Sequence, residues 1–225
     1  MKIGIIGAMP EEITLIRDQM GDCTTCSVYG LEFAEGALGG HDVVVVVCGV
    51  GKVNAAMCAL TLVERFDVER IVFTGVAGSL DAAVDFFDIV VSTDCVQHDY
   101  DVSTVFPDEE TAFYVADETL RAAAVRAVYE AAPDVGLHEG RIASGDQFVG
   151  DAATKERIAS TFGALCCEME GAAVAQVACK CGVPFVVIRA ISDKADGSAD
   201  VDFTSFVELA ANRSASIIAH LLQLL

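Results

Sequence analysis

Basic residues are scarce in this chain, and their scarcity argues against polyanionic partners. Of its 225 residues, 14 are lysine or arginine and 34 are aspartate or glutamate, so the formal net charge is −20. A surface with this excess of negative charge repels nucleic acids and anionic membranes. We therefore expect no nucleic-acid partner and no membrane partner, and we expect most acidic residues to form a solvated surface.

Long apolar runs are absent as well, although 53% of the residues are hydrophobic. No run approaches the roughly 20 residues that cross a bilayer. The first residues lack the pattern of a signal peptide, because Glu11 soon interrupts them. The sequence thus predicts a cytoplasmic protein, and its apolar content is enough for one domain with a large core.

The cysteines do not predict disulfides here. Their number, nine, is odd and no export signal accompanies them, so reduced thiols are expected. Cys23 and Cys26 have the spacing of a metal-ligand pair, but neither a second such pair nor two nearby histidines complete a tetrahedral site. No metal site is therefore expected.

Proline is rare, at 4 residues, and glycine is common, at 19, which suits tight loops between regular elements. Apolar runs of strand length alternate with helical stretches. The predicted strands are 2–7, two short strands within 27–38, 42–48, 70–74, 89–98, 138–144, 165–169 and 185–190. The predicted helices are 11–20, 51–65, 117–131, 151–162, 171–181 and one within 201–225. This alternation predicts a single three-layer α/β/α domain over residues 1–225, with a mixed central sheet.

Three connecting segments are expected to lack regular structure. Residues 75–79 and 193–202 are rich in small residues and are predicted to be loops. Residues 99–113 are polar and irregular in pattern, which makes them a candidate lid or subunit contact.

Ionisable residues stand directly beside apolar runs at three places in the chain. Glu12 follows the first run, Glu168 and Glu170 follow another, and Arg189 and Asp193 end a third. Charges beside a core segment are costly unless they are paired or used. Because ligands of open α/β sheets bind beyond the carboxyl ends of strands, we expect three of these acids, Glu12, Glu170 and Asp193, to converge on one crevice.

Each of these residues alone has an ordinary structural explanation. Glu11 and Glu12 could complement a helix dipole as first-turn acids. Glu170 could cap the following helix, and Asp193 could be a turn residue before Lys194. The joint pattern favours a functional site over these separate explanations. His98, at a predicted strand end, is a weaker candidate, for which an ordinary loop histidine is an equal alternative.

A glycine-rich turn at Gly49-Val-Gly51-Lys52 is similar to a fragment of a phosphate-binding loop. Val46 stands where such a loop has its first glycine, and Val53 stands where it has serine or threonine. The turn is therefore interpreted as a tight connection between a strand and a helix.

Several short motifs follow one another in the order typical of one family. They are Lys2-Ile-Gly-Ile-Ile-Gly-Ala-Met9 with Glu11-Glu12, Gly49-Val-Gly-Lys52, Thr74-Gly75, Ser144-Gly145-Asp146, Glu168-Met-Glu170 and Arg189-Ala-Ile-Ser-Asp193. Over nearly the whole chain they resemble the 5′-methylthioadenosine/S-adenosylhomocysteine nucleosidases, which belong to the purine nucleoside phosphorylase superfamily. The resemblance implies a homodimer with a purine nucleoside as its small-molecule partner. No cofactor is expected, since acid, base and substrate contacts would all be side chains.

Cleavage of an N-glycosidic bond to adenine needs an acid at the purine, stabilisation of the ribose and an activated water, and two carboxyl groups with separate roles supply the acid and the base. We assign Asp193, oriented by Ser192, as the acid at purine N7, and Glu12 as the base that activates water. Glu170 would accept hydrogen bonds from the ribose hydroxyls. Arg189 would pair with a carboxylate, with Glu168 as the candidate, and help to fix the water. The resemblance implies the same roles.

The resemblance also implies the contacts of the substrate. It places Phe148 against the purine ring, the backbone of Val149 at the purine edge and Met169 under the ribose. The apolar slot for a 5′-thio substituent would consist of Met9, Val50 and Phe203.

Water is favoured over phosphate as the nucleophile. The segments 7–12 and 74–79 contain no arginine, although a phosphate dianion needs basic donors. Glu12 at the phosphate position would repel it by about 4 kcal/mol at 4 Å and an effective dielectric of 20. A phosphorylase and a non-catalytic nucleoside-binding protein remain as alternatives.

Three departures from the family pattern leave the substrate open. Val76 stands where relatives often carry serine, Pro10 separates Met9 from the acidic pair, and the segment 99–113 is short. Methylthioadenosine, S-adenosylhomocysteine, 5′-deoxyadenosine and an aminodeoxyfutalosine-type nucleoside are therefore all candidates.

Overall fold

The computed structural model describes residues 1–106, 111–195 and 203–225, with side chains from residue 209 onward in the last range. The strands are β1 (Lys2–Gly7), β2 (Thr24–Val28), β3 (Leu31–Leu38), β4 (His41–Val47), β5 (Arg70–Ser79), β6 (Ile89–Gln97), β7 (Phe113–Val115), β8 (Leu137–Ser144), β9 (Cys166–Glu168) and β10 (Phe185–Asp193). The helices are α1 (Pro10–Asp18), α2 (Lys52–Phe66), α3 (Glu118–Ala131), α4 (Ala152–Phe162), α5 (Gly171–Cys181) and α6 (Phe203–Gln223).

All ten described strands belong to one mixed sheet, in the order β10-β6-β8-β9-β5-β1-β4-β3-β2, with β7 paired to β6. Strands β1, β4, β5 and β10 pair in parallel, whereas β2, β3 and β4 pair antiparallel. Strand β10 also pairs with β5, so β10, β6, β8, β9 and β5 form a closed ring of strands. The predicted single domain with a mixed sheet is confirmed, and the ring is a feature that the sequence did not predict.

Helices cover both faces of the sheet. Helices α1, α3 and α6 pack into one buried apolar cluster, α2 and α5 pack into a second, and α4 contributes Ile158 to a third. Strand β1 contacts the first two clusters, because Ile3 and Ile5 point to one face of the sheet and Ile6 points to the other. In the part of the chain that the structure describes, no helix is both long and apolar enough to span a membrane.

Local sequence explains where most helices begin and end. The Asp117 and Asp151 carboxylates accept hydrogen bonds from backbone amides in the first turns of α3 and α4. Helix α1 has Pro10 at its first position, where no amide donor is needed. Helices α4 and α5 end at Gly163 and Gly182, whose positive φ angles favour glycine.

Two predicted loops are wrong in part. Residues 75–79 continue β5, because β10 and β9 both pair with this stretch and satisfy its backbone. Strand β10 extends to Asp193 for the same reason. Lys194 and Ala195 follow the strand and belong to no regular element, as predicted, and residues 196–202 of this loop lie outside the described residues.

The segment 99–113 contains more structure than predicted at its end, since Phe113 begins the short strand β7. Residues 107–110 lie outside the described residues, and the proposed lid or subunit contact stays a prediction.

Candidate active site

The ends of β1, β4, β5, β8, β9 and β10 surround a cavity of about 430 Å³, a size typical of small-molecule sites. Glu12, Glu170 and Asp193 all line it, so the expected convergence of these three acids is present. The predicted site residues that line the cavity are Met9, Glu12, Val50, Phe148, Val149, Met169, Glu170, Ser192 and Asp193. The side chain of Phe203 lies outside the described residues.

The predicted apolar contacts differ in their position in the cavity. Val149 is buried, whereas Val50 is 51% exposed and Phe148 is 78% exposed, which places these two at the mouth. In this structure they leave much of their surface free for a ligand.

The Glu12 carboxylate is buried at the start of α1, where three backbone amides hold it. The amides of Ala8 and Met9 donate to its Oε2 at 2.6 and 2.9 Å, and the amide of Val76 donates to Oε1 at 3.2 Å. Burial raises the pKa of Glu12 above its ordinary value, while the Arg189 charge and these hydrogen bonds oppose the rise. A carboxylate with a raised pKa is a stronger base, which suits the role assigned to it.

Asp193 is fixed by its chain neighbours at the end of β10. The Ser192 hydroxyl donates to Oδ2 at 2.8 Å, and the amide of Ala195 donates to Oδ1 at 2.7 Å. The expected contact between Ser192 and this carboxyl group is therefore present. A Cβ atom on Gly78 would lie 2.8 Å from Oδ1, so the neighbouring strand β5 leaves room for Asp193 only because it has glycine there.

Arg189 lies behind the cavity, in a buried ion pair with Glu168. Its Nη2 atom is 2.5 Å from Glu168 Oε2, and its guanidinium lies 4.0 Å from the centre of the Phe73 ring. The pairing predicted for Arg189 is thus confirmed. The guanidinium also approaches Glu12, and both groups border Gly75. A Cβ atom added to Gly75 would lie 3.0 Å from Arg189 Nη1 and 2.8 Å from Glu12 Oε1.

Glu168 organises the first turn of α5. It accepts hydrogen bonds from the amide of Gly171 at 2.7 and 2.9 Å and from the Ser144 hydroxyl. The Ser144 oxygen in turn accepts the amide of Ala172 at 2.7 Å. These bonds satisfy free amides at the helix N-terminus, and they leave the neighbouring Glu170 free to face the cavity.

Glu170 is buried and has one backbone donor from a distant segment. The amide of Gly51 donates to its Oε1 at 2.7 Å. Burial and the Glu168 charge raise the pKa of Glu170 from 4.5 to about 7. Its remaining lone pairs can accept hydrogen bonds from a diol.

Sequence reasoning missed several residues of the cavity wall. Ala77 and Gly78 line it because β5 continues through the predicted loop, and Gln147 lines it next to the Ser144-Gly145-Asp146 motif. Val76, which the sequence marked as a departure from the family pattern, lines it as well. Cys167 also lines the cavity, although it is buried. Burial raises the pKa of Cys167 to about 12, so its thiol stays protonated.

The weaker candidate, His98, does not line the cavity. It is buried under Gly145, and burial lowers its pKa, so the ring is neutral. Among the described residues, no cluster of histidine, cysteine, aspartate and glutamate has an arrangement that could hold a metal ion.

Comparison with known proteins identifies the family. The model of the phosphorylase superfamily matches residues 2–223. A 5′-methylthioadenosine/S-adenosylhomocysteine nucleosidase of Geobacillus sp. is 42% identical over 97% of this chain and 96% of its own. The nucleosidase of Colwellia psychrerythraea in complex with adenine has 35% identity and a TM-score of 0.93, over 100% of this chain and 96% of its own. A futalosine hydrolase of Helicobacter pylori has 38% identity and a TM-score of 0.92, over 100% of this chain and 98% of its own. The chain therefore belongs to the phosphorylase superfamily and, within it, to the 5′-methylthioadenosine/S-adenosylhomocysteine nucleosidase family.

Proposed function

We propose that this protein hydrolyses the N-glycosidic bond of 5′-methylthioadenosine, S-adenosylhomocysteine or both, and releases adenine. The observation that carries the proposal is the meeting of Glu12, Glu170 and Asp193 in one cavity. The names of its relatives agree with this chemistry, and one of them was solved in complex with adenine.

The two carboxyl groups are assigned the acid and the base roles. Asp193 protonates or hydrogen-bonds purine N7 and is oriented by the Ser192 hydroxyl. Glu12, whose pKa is raised by burial, takes a proton from water on the opposite face of the sugar. Separate acid and base carboxyl groups fit hydrolysis with inversion at the anomeric carbon.

The remaining residues bind and orient the nucleoside. Glu170 accepts hydrogen bonds from the ribose hydroxyls, and Met169 lies under the ribose. Arg189 stays charged in its pair with Glu168 and helps to fix the water next to Glu12. Phe148 contacts the purine ring, and the backbone of Val149 contacts the purine edge. The apolar slot for the 5′ substituent consists of Met9, Val50 and Phe203.

Water fits this cavity better than phosphate does. The described residues that line it include no lysine and no arginine, while Arg189 is already paired behind it. A phosphate dianion would face Glu12 without a basic partner. Hydrolysis is therefore proposed in preference to phosphorolysis.

A second substrate class is an aminodeoxyfutalosine-type nucleoside. The Helicobacter pylori relative is named a futalosine hydrolase, and the exposed Val50 of the proposed 5′ slot leaves room for a larger 5′ group. The same acid and base would cleave the bond to adenine.

We also propose that the protein is a cytoplasmic homodimer. All nine cysteines lie in the described part of the chain and all are free thiols, which suits a reducing compartment. Helix α2 exposes Val53 and Leu60, which lie two turns apart on one face. This exposed apolar pair is the proposed subunit contact.

The substrate experiment measures adenine release from methylthioadenosine, S-adenosylhomocysteine, 5′-deoxyadenosine and aminodeoxyfutalosine, each with and without phosphate. We expect adenine release that does not depend on phosphate, together with the free sugar. Release that requires phosphate would identify a phosphorylase. Binding of the nucleosides without release would identify a non-catalytic binding protein.

A further inference from the structure

Lys52 does not line the cavity, yet it joins three chain segments beside it. Its ammonium donates to Asp99 Oδ1 at 2.5 Å and to Gln97 Oε1 at 3.0 Å, and its backbone amide donates to Asp146 Oδ1 at 2.8 Å. The amide of Asp146 donates to Asp99 Oδ2 at 2.9 Å. Lys52, Asp99 and Asp146 thus form a closed set of hydrogen bonds, which we call the Lys52 latch.

The latch connects segments that carry cavity residues. Gly51, directly before Lys52, has a φ of +100° and donates its amide to Glu170. A Cβ on Gly51 would lie 3.2 Å from Asp146 Oδ1, so the turn and the Asp146 side chain are in close contact. Asp146 in turn begins the loop that carries Phe148. A shift of the turn at Gly51 therefore moves the donor to Glu170 and the loop after Asp146 together.

The charges of the latch are partly shielded from water. The Lys52 side chain is 17% exposed and that of Asp99 is 24% exposed, compared with 29% and 38% for the Lys2–Glu35 pair at the start of β1. Burial tends to raise the pKa of Asp99, but the hydrogen bonds from Lys52 and from the Asp146 amide outweigh it and lower the pKa. Asp99 is therefore ionised near neutral pH and keeps the latch closed.

We propose that Lys52 is a positioning residue of the nucleoside site. Through the Lys52 latch it holds the Gly51 turn and the loop after Asp146 at the relative position that a bound purine nucleoside requires. The identity of the ligand rests on the proposed function. The arrangement explains why a glycine turn that lacks the other features of a phosphate loop ends in a lysine.

The test compares Lys52→Met and Lys52→Arg with wild type, with Lys2→Met as the matched control. Lys2 also pairs with one carboxylate, at 2.6 Å, but lies at the opposite end of the sheet strands. The measurements are the affinity for adenine by calorimetry, KM and kcat for methylthioadenosine, and the melting temperature. For Lys52→Met we expect about tenfold weaker adenine binding and an increase of KM by a similar factor, with a smaller change in kcat.

Lys52→Arg should recover most of the affinity, because arginine can still bond to Asp99. Lys2→Met should leave affinity and KM within about twofold of wild type, as expected for an exposed pair. If Lys52→Met does not fold, Asp99→Asn opens the same latch and should give the same loss. Where both fold, the double variant should lose little more than either single variant.

Two results would overturn the inference alone: adenine affinity and KM close to wild type in Lys52→Met, or a lower melting temperature with no change in either. Wild-type protein that binds adenine but cleaves no nucleoside would overturn the proposed function, and the adenine affinities would still test the latch. Wild-type protein that binds neither adenine nor nucleoside would overturn both.

Discussion

At the scale of single residues, Asp193 carries the proton for the leaving purine in the proposed mechanism. Asp193→Asn keeps the shape of the side chain and its contact with Ser192 but removes the acid. We expect kcat for methylthioadenosine to fall by about 100- to 10,000-fold, while adenine affinity changes little. Asp117→Asn is the control, since asparagine also caps a helix such as α3. Equal losses in both variants would argue against an acid role.

The titration of Glu170 predicts how stability depends on pH. Its pKa is raised to about 7 in the folded protein, from 4.5. The folded chain therefore holds a proton that the unfolded chain releases in this window, so the contribution of Glu170 to stability falls as pH rises from 4.5 to 7.

Glu170→Gln removes this titration. The free energy of unfolding of wild type relative to the variant should fall by up to about 3 kcal/mol between pH 4.5 and 8. Urea titrations of both proteins at several pH values measure the difference, and a difference that is independent of pH would contradict the prediction.

Single residues of the site were predictable where chemistry and position coincide. Glu12, Glu170 and Asp193 are carboxylates beside apolar runs, a combination that the sequence displays directly. Cys167 and Gln147 carry no such signal, because a cysteine within an apolar run and a loop glutamine have the same pattern whether or not they face a cavity.

At the scale of elements, β5 approaches β10 so closely that a side chain at Gly78 would displace the carboxyl group of Asp193. Gly78→Ala would place Cβ 2.8 Å from Asp193 Oδ1, so the carboxyl group must move. Since a misplacement of 1 Å can cost about 100-fold in rate, we expect kcat to fall by that order. The control is Gly4→Ala in β1, whose Cβ would meet the side-chain ends of Leu62, at 3.0 Å, and Val68, at 3.5 Å, neither of which lines the cavity. Its kcat should remain near wild type.

The N-terminus of α5 depends on a buried charge pair. Glu168→Gln leaves the guanidinium of Arg189, which is 1% exposed, without its carboxylate. We expect a loss of about 3–5 kcal/mol in the free energy of unfolding. Glu35→Gln removes the partner of Lys2 in a pair that is far less buried and should cost less, about 1 kcal/mol or below. Chemical denaturation measures both, and similar losses would show that burial does not distinguish the pairs.

Helices and strands were predictable where the pattern of apolar residues along the chain is enough to define them. The ends of strands were not, because they depend on pairing with distant segments. Residues 75–79 contain glycine and serine, and their extended conformation depends on pairing with Cys166, Cys167 and β10. These partners lie about a hundred residues further along the chain, so a local pattern cannot show them.

At the scale of the whole molecule, the mixed sheet followed from the alternation of strands and helices, but its closure did not. The ring depends on the added pairing of β10 with β5, which is one contact between strands far apart in the chain. Alternation of elements fixes the number of layers and leaves open which edge strands meet.

The homodimer is the prediction that belongs to this scale. Light scattering after size exclusion should give twice the chain mass of 23.6 kDa. Val53→Glu places a charge on the exposed face of α2 and should shift the protein towards monomer, whereas Tyr129→Glu, on the exposed side of α3, should not. A monomeric wild type, or dissociation of both variants, would contradict a contact through α2.

The residues that line the cavity have two kinds of surroundings. In the closed ring, Gly78 and Asp193 lie on paired strands, so an altered side chain there disturbs its neighbours. At the entrance, Val50 and Phe148 have open space on one side. A substitution at Val50 or Phe148 can therefore change which side groups of a nucleoside fit the entrance, while the contacts between Gly78 and Asp193 stay as they are.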